Sequence, residues 1–99
     1  MPKNEHKPGF NLSGLNILII GAKLGIGASL ASVCAEQNAR LILVDKDEPI
    51  NLAKELVKAF KADVTTYACD ISERGSVEKL AKWLSKKKLE PQSVAVTAG

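Results

Sequence analysis

The sequence predicts an α/β fold, a parallel sheet with helices on both faces, and three observations predict it. Two short runs, Leu15 to Ile20 and Arg40 to Asp45, are almost wholly apolar. That pattern suits strands buried on both faces of a parallel sheet. Each run is followed by apolar residues at helical spacing, and strands alternating with helices call for parallel pairing. The alternation continues to the end of the chain without an internal repeat or a low-complexity segment.

Taken in order, residues 1–10 read as a flexible basic tail broken by Pro2, Pro8 and Gly9. His6 lies in it with no ligand partner nearby. The first strand, Leu15 to Ile20, stops at Gly21. A first helix starts within the glycine stretch and runs to about Asn38, with Ile26, Leu30, Val33 and Cys34 as its apolar positions. The second strand is Arg40 to Asp45. Pro49 then suits the first turn of a helix whose apolar face is Ala53, Leu56, Val57 and Phe60.

Val64 to Ala68 predicts a third strand, partly amphipathic through Thr65, Thr66 and Tyr67. Ser72 is placed to cap a third helix with the apolar face Val77, Leu80, Ala81 and Leu84. Trp83 falls beside that stripe as a packing residue at the helix edge. Val94 to Thr97 begins a fourth strand after Pro91. The order is β-α-β-α-β-α-β, and right-handed crossovers set the strands side by side as 3-2-1-4. Residues 11–99 thus form half of a doubly wound, Rossmann-type sheet.

At 99 residues the chain is one domain or part of one, and its 45% apolar and 25% charged residues are globular in composition. The first ten residues lack a secretory apolar stretch, and no run approaches the roughly 20 residues that span a bilayer. A cytoplasmic location with no membrane partner is the expectation. The net charge is +3, and Lys86, Lys87 and Lys88 close a helix where cations offset its dipole. Acidic residues are interspersed and aromatics are few, so a nucleic-acid partner is not expected. Cys34 and Cys69 have neither metal-type nor redox-type spacing and read as free, small hydrophobes. No metal site is predicted.

The chemistry lies in Gly21-Ala22-Lys23-Leu24-Gly25-Ile26-Gly27, between the first strand and the first helix. Gly21 allows a sharp turn out of the strand, Gly25 lets backbone approach a phosphate, and Gly27 allows close packing of the helix. The helix N-terminus then offers N–H groups and a partial positive charge to a pyrophosphate. Three glycines alone also suit a turn that binds nothing. Asp45, ending the second strand 18 positions beyond Gly27, raises the pattern to a dinucleotide site. Its carboxylate suits the two hydroxyls of an adenine ribose and opposes a 2′-phosphate, so NAD is favoured over NADP. Lys23 and Lys46 leave NADP open.

The spacing Gly-x-x-x-Gly-Ile-Gly, the lead-in Phe10-Asn11-Leu12-Ser13-Gly14, the segment Cys69-Asp70-Ile71-Ser72 and the ending Val96-Thr97-Ala98-Gly99 together resemble the short-chain dehydrogenase/reductase family over residues 10–99. The resemblance implies that Asp70 and Ile71 contact the adenine, and that Thr97, Ala98 and Gly99 line the ribose and nicotinamide side. The implied cofactor-binding set is Gly21, Lys23, Leu24, Gly25, Ile26, Gly27, Asp45, Asp70, Ile71, Thr97, Ala98 and Gly99. It further implies hydride transfer between a nicotinamide and an alcohol or carbonyl substrate.

Two departures stand out. Ile20 replaces the family's usual Thr, and Val96 and Thr97 replace two Asn, so both ends of a polar tie between first turn and fourth strand are altered. The family's catalytic Tyr-x-x-x-Lys lies beyond the fourth strand, and Tyr67, the only tyrosine, is followed four positions later by Ile71. No catalytic residue is assigned, and the segment alone is expected to be inactive. The open edge at Val94 to Val96 suits either the N-terminal piece of a longer enzyme or a half-fold that dimerises; homo-oligomerisation stays open. A non-catalytic nucleotide-binding module is the alternative, and the glycine spacing disfavours a methyltransferase.

Overall fold

The computed structural model describes residues 11–23 and 25–97. The leading tail and the candidate site residues Leu24, Ala98 and Gly99 lie outside them. The elements are β1 (Asn16–Ile20), α1 (Ile26–Glu36), β2 (Arg40–Asp45), α2 (Ile50–Phe60), β3 (Asp63–Ala68), α3 (Ser76–Lys86) and β4 (Ser93–Val96). The strands form a parallel sheet in the order β3-β2-β1-β4. In register, Ile19 of β1 sits between Leu43 of β2 and Ala95 of β4.

Side chains alternate between the two faces of each strand, and this alternation splits the core in two. Ile17, Ile19, Leu41 and Leu43 pack with Ala31, Cys34 and Ala35 of α1 and Leu56 of α2. Leu18, Ile42 and Val44 pack on the other face with Leu80 and Leu84 of α3. Ile19, Leu41, Ile42, Leu43 and Val44 have essentially no exposed surface. Each such side chain contributes about 1.5–3 kcal/mol by leaving water, which makes β1 and β2 the stable centre. Both cysteines are free and buried. Tyr67 of β3 stacks on Trp83 of α3, with ring centroids 4.4 Å apart, so Trp83 packs at the helix edge as expected.

Several local expectations are corrected. Ser72 caps no helix: α3 begins at Ser76 behind Gly75, whose φ is 84°, and Ser72 bonds to Asp70 instead. The buried face of α1 is Gly27, Ala31, Cys34 and Ala35, while Ile26 is 77% and Val33 57% exposed. Small residues face the sheet because they let the helix lie close to it. That helix also ends at Glu36, short of Asn38, which takes a left-handed φ of 73°. Pro49 is the N-cap of α2 rather than a first-turn residue. Of α2's predicted face only Leu56 is buried, and Val77 and Ala81 of α3 stay exposed. Apolar spacing marks the side of a helix that can be buried; a neighbouring element must still cover it.

Candidate functional site

The site lies at the carboxyl ends of the strands, where β1 turns into α1. Gly21 leaves β1 with a φ of 87°, and a Cβ there would sit 1.9 Å from the Thr97 carbonyl oxygen. Only glycine fits both the conformation and the contact. Gly27, one residue into α1, is packed as tightly: its Cβ would lie 2.1 Å from the Gly21 carbonyl oxygen and 2.8 Å from Thr97 Oγ1. The helix therefore starts in contact with the turn it leaves. Gly25 is the contrary case. Its φ is 62° and nothing lies within 4 Å of a Cβ built on it, which leaves its backbone open on the side of the helix N-terminus. As N-cap of α1 it provides no side-chain cap, so no cap side chain takes up the first-turn N–H donors.

The turn is pinned to its neighbours. Gly21 N–H and Ala22 N–H both donate to the Val44 carbonyl, at 2.8 and 3.2 Å. Asp45 accepts the Lys23 N–H on Oδ2 at 2.9 Å and the Lys46 N–H on Oδ1 at 2.7 Å. The half-buried carboxylate thus anchors the turn, a role its spacing did not announce. It keeps further lone pairs for other donors. The Lys23 ammonium reaches Asp47 at 3.6 Å, with both side chains largely exposed, a pairing of small energetic weight.

Across the sheet end, Asp70 accepts both the backbone N–H and the hydroxyl of Ser72 on Oδ1, at 3.0 and 2.5 Å. The Ser72 hydroxyl and then its N–H hold the Asp70 carboxyl below its ordinary range, with a smaller contribution from the Lys46 charge. Beside it, burial pushes the Cys69 thiol up, and the Ser76 carbonyl lies 3.5 Å from its Sγ.

The polar tie between the first turn and the fourth strand, altered at both ends in the sequence, is present in another form. Thr97 donates its N–H to the Ile20 carbonyl at 2.8 Å. Its hydroxyl lies 2.7 Å from the Gly21 carbonyl and 3.2 Å from that of Ile20. Backbone carbonyls serve as acceptors, so Ile20 needs no polar side chain.

These residues enclose a groove of about 190 Å³ lined by Ile20, Gly21, Asp45, Lys46, Cys69, Asp70, Ile71 and Thr97. Five candidates, Gly21, Asp45, Asp70, Ile71 and Thr97, meet there from four different segments. Lys23 and Gly25 on the turn, and Ile26 and Gly27 in the first turn of α1, do not line the groove. Ile26 points largely to solvent. The sequence did not assign Ile20 or Cys69 to the lining, and adjacency to a candidate was the signal for both; Lys46 enters the sequence reading only as a partner for a 2′-phosphate.

A family model described as short chain dehydrogenase matches residues 15–96. The chain belongs to the short-chain dehydrogenase family. It is similar to a tropinone reductase homologue of Arabidopsis thaliana, 35% identical over 82 residues that make up 80% of this chain and 30% of that protein. Similarity to mouse epidermal retinol dehydrogenase 2 reaches 39% over 85 residues, 81% of this chain and 26% of the other. Among solved structures, the Pseudomonas aeruginosa RhlG/NADP active-site complex superposes with a TM-score of 0.83 at 26% identity, covering 94% of this chain and 38% of that one. The chain therefore spans less than two fifths of each of these short-chain dehydrogenase relatives. Among the described residues no helix is long and apolar enough to cross a membrane.

Proposed function

We propose that this chain is the cofactor-binding segment of a nicotinamide-dinucleotide-dependent oxidoreductase that moves hydride between the cofactor and an alcohol or carbonyl substrate. The observation that carries the proposal is the convergence of Gly21, Asp45, Asp70, Ile71 and Thr97 on one groove beside the glycine turn. The open backbone at Gly25 and the uncapped donors of α1 fit a pyrophosphate. Asp45 and Asp70 stand where donors of a ribose and an adenine amine would meet acceptors. When bound, the nicotinamide supplies the hydride chemistry; this chain's residues bind and orient the dinucleotide. We expect the segment by itself to bind without turnover, because its only tyrosine, Tyr67, is stacked on Trp83 and lacks the Lys partner of the family pattern.

For the choice of cofactor, the Asp45 carboxylate supports NAD. Lys46 on the same groove is the group that would pair with a 2′-phosphate, and the RhlG structure is an NADP complex. Because Asp45 also anchors the turn, the deciding quantity is the ratio of NADPH to NADH affinity in the unaltered chain and in Asp45→Ala. Loss of the anchor weakens both cofactors. Loss of a ribose acceptor, together with relief of phosphate repulsion, raises the ratio about tenfold, or ~1.4 kcal/mol. An unchanged ratio would remove Asp45 from the ribose, and failure of the unaltered chain to bind either cofactor would remove the proposal.

A further inference from the structure

We infer that the Thr97 hydroxyl is a positioning group for the glycine turn, holding the two peptide planes that set the direction of the donors after them. The inference rests on the dinucleotide reading for its purpose and on hydrogen bonds for its geometry. The peptide joining Ile20 to Gly21 is held on both sides. Its carbonyl accepts from Thr97 N–H at 2.8 Å, and its N–H donates to the Val44 carbonyl at 2.8 Å. The next peptide, Gly21 to Ala22, is held in the same crosswise manner. Its carbonyl lies 2.7 Å from Thr97 Oγ1, and its N–H donates to the Val44 carbonyl at 3.2 Å.

Two consecutive peptides therefore bridge β2 and the residue that follows β4, and on the second the Thr97 side chain supplies that whole half of the clamp. A hydroxyl has a single proton, and the shorter contact assigns it to Gly21. The hydroxyl also lies close to the helix start, where it would leave no room for a Cβ on Gly27, which would come within 2.8 Å of it. One oxygen thus bonds to the turn and faces the start of α1. The electrostatic consequence concerns the Gly21 carbonyl. A backbone carbonyl turned toward a pyrophosphate repels it, whereas one drawn onto Thr97 leaves the turn presenting donors. Thr97 thereby governs the phosphate turn from 76 residues away in sequence.

The test compares the unaltered chain with Thr97→Val, which keeps the shape and removes the proton, and Thr97→Ser, which keeps the proton. NADH binding is followed by quenching of Trp83, the sole tryptophan, and binding of adenosine, which has no phosphate, by NMR shifts. The expected result is about a tenfold loss of NADH affinity in Thr97→Val, near the worth of one hydrogen bond. Adenosine, which carries no phosphate for the turn to hold, loses distinctly less affinity than NADH in that variant, and Thr97→Ser restores NADH binding to within roughly twofold. Amide exchange at Gly21 and Ala22 accelerates about tenfold in the valine variant without nucleotide, while Ile42 and Leu43 keep their rates. Equal loss of NADH and adenosine binding, no loss of either, or failure of serine to rescue overturns the inference. So does a valine variant that unfolds while the serine variant folds, since the hydroxyl would then hold the sheet and not the turn. If the unaltered chain binds neither ligand, the dinucleotide reading falls, and the exchange rates at Gly21 and Ala22 still decide the role of the hydroxyl.

Discussion

The Asp45 carboxylate receives the Lys23 backbone N–H at 2.9 Å on Oδ2, while its other oxygen receives the Lys46 N–H at 2.7 Å. An acidic residue at the end of the second strand thus holds the glycine turn before any ligand arrives. The proposed ribose contact would draw on the same property, a carboxylate with two oxygens and several lone pairs.

Asp45→Asn should therefore destabilise the chain even without cofactor. Asparagine offers one acceptor oxygen where two N–H donors converge, so one donor faces an NH₂. The expected cost is about 1–2 kcal/mol, read as a lower urea midpoint with an unchanged slope. Unchanged stability would mean that the two N–H groups do not depend on the carboxylate.

Gly27→Ala tests the contact between helix and turn. Its methyl would lie 2.1 Å from the Gly21 carbonyl oxygen and 2.8 Å from Thr97 Oγ1, and the Gly21 backbone leaves little room to yield. A loss of at least about 2 kcal/mol is expected, along with loss of NADH binding as α1 is pushed off the turn. Gly14→Ala is the control, because nothing lies within 4 Å of its added methyl. Its φ of 84° leaves only local backbone strain of about 1 kcal/mol. Equal effects of the two substitutions would refute the close approach.

The Asp70 pair predicts a pH dependence with a defined sign. Hydrogen bonds from Ser72 lower the folded-state pKa, so the stabilisation is present above the ordinary aspartate value. It is lost as pH falls through the lower folded value. Ser72→Ala removes the larger of the two hydrogen-bond contributions. An NMR titration of the Asp70 carboxyl should then show its midpoint moving up toward the ordinary range, and a midpoint that does not move rejects the pairing.

The thiols supply a probe of the groove. Burial raises both Cys34 and Cys69, so their folded-state stabilisation is complete below the ordinary thiol pKa and declines as pH rises through the raised folded values. At neutral pH both should react slowly with iodoacetamide. Cys69 lines the groove and Cys34 is buried under α1. In a Cys34→Ala background, saturating NADH should slow alkylation of Cys69 several-fold. In a Cys69→Ala background, the rate at Cys34 should change far less. Equal protection of the two would place the nucleotide elsewhere or reflect general tightening of the fold.

The alternation of strands and helices, the parallel order 3-2-1-4 and the place of the glycine turn were all legible in the residues alone. These follow from information carried within single segments. Apolar runs such as Leu41 to Val44 demand burial on both faces, and a β-α-β connection has one favoured hand. Asp45 was legible from its place at the end of the second strand, 18 positions beyond Gly27, whereas Asp70 and Thr97 entered as candidates through the family resemblance of the segments that hold them.

Tertiary structure alone decided how those ends meet. That Thr97 replaces a tie both of whose usual side chains are missing depends on the register of β4 against β1 and on carbonyls, which every residue carries and no sequence pattern marks. Tertiary structure also decided which apolar positions are covered. Ile26, Val33 and Val77 lie at helical spacing yet stay exposed, because periodicity selects a face of one element while burial needs a second element against it. The glycines join the two levels. Their spacing was visible in the sequence, but Gly21 and Gly27 are required by the close approach of the Thr97 and Gly21 oxygens, a constraint that arises only when β1, α1 and β4 converge.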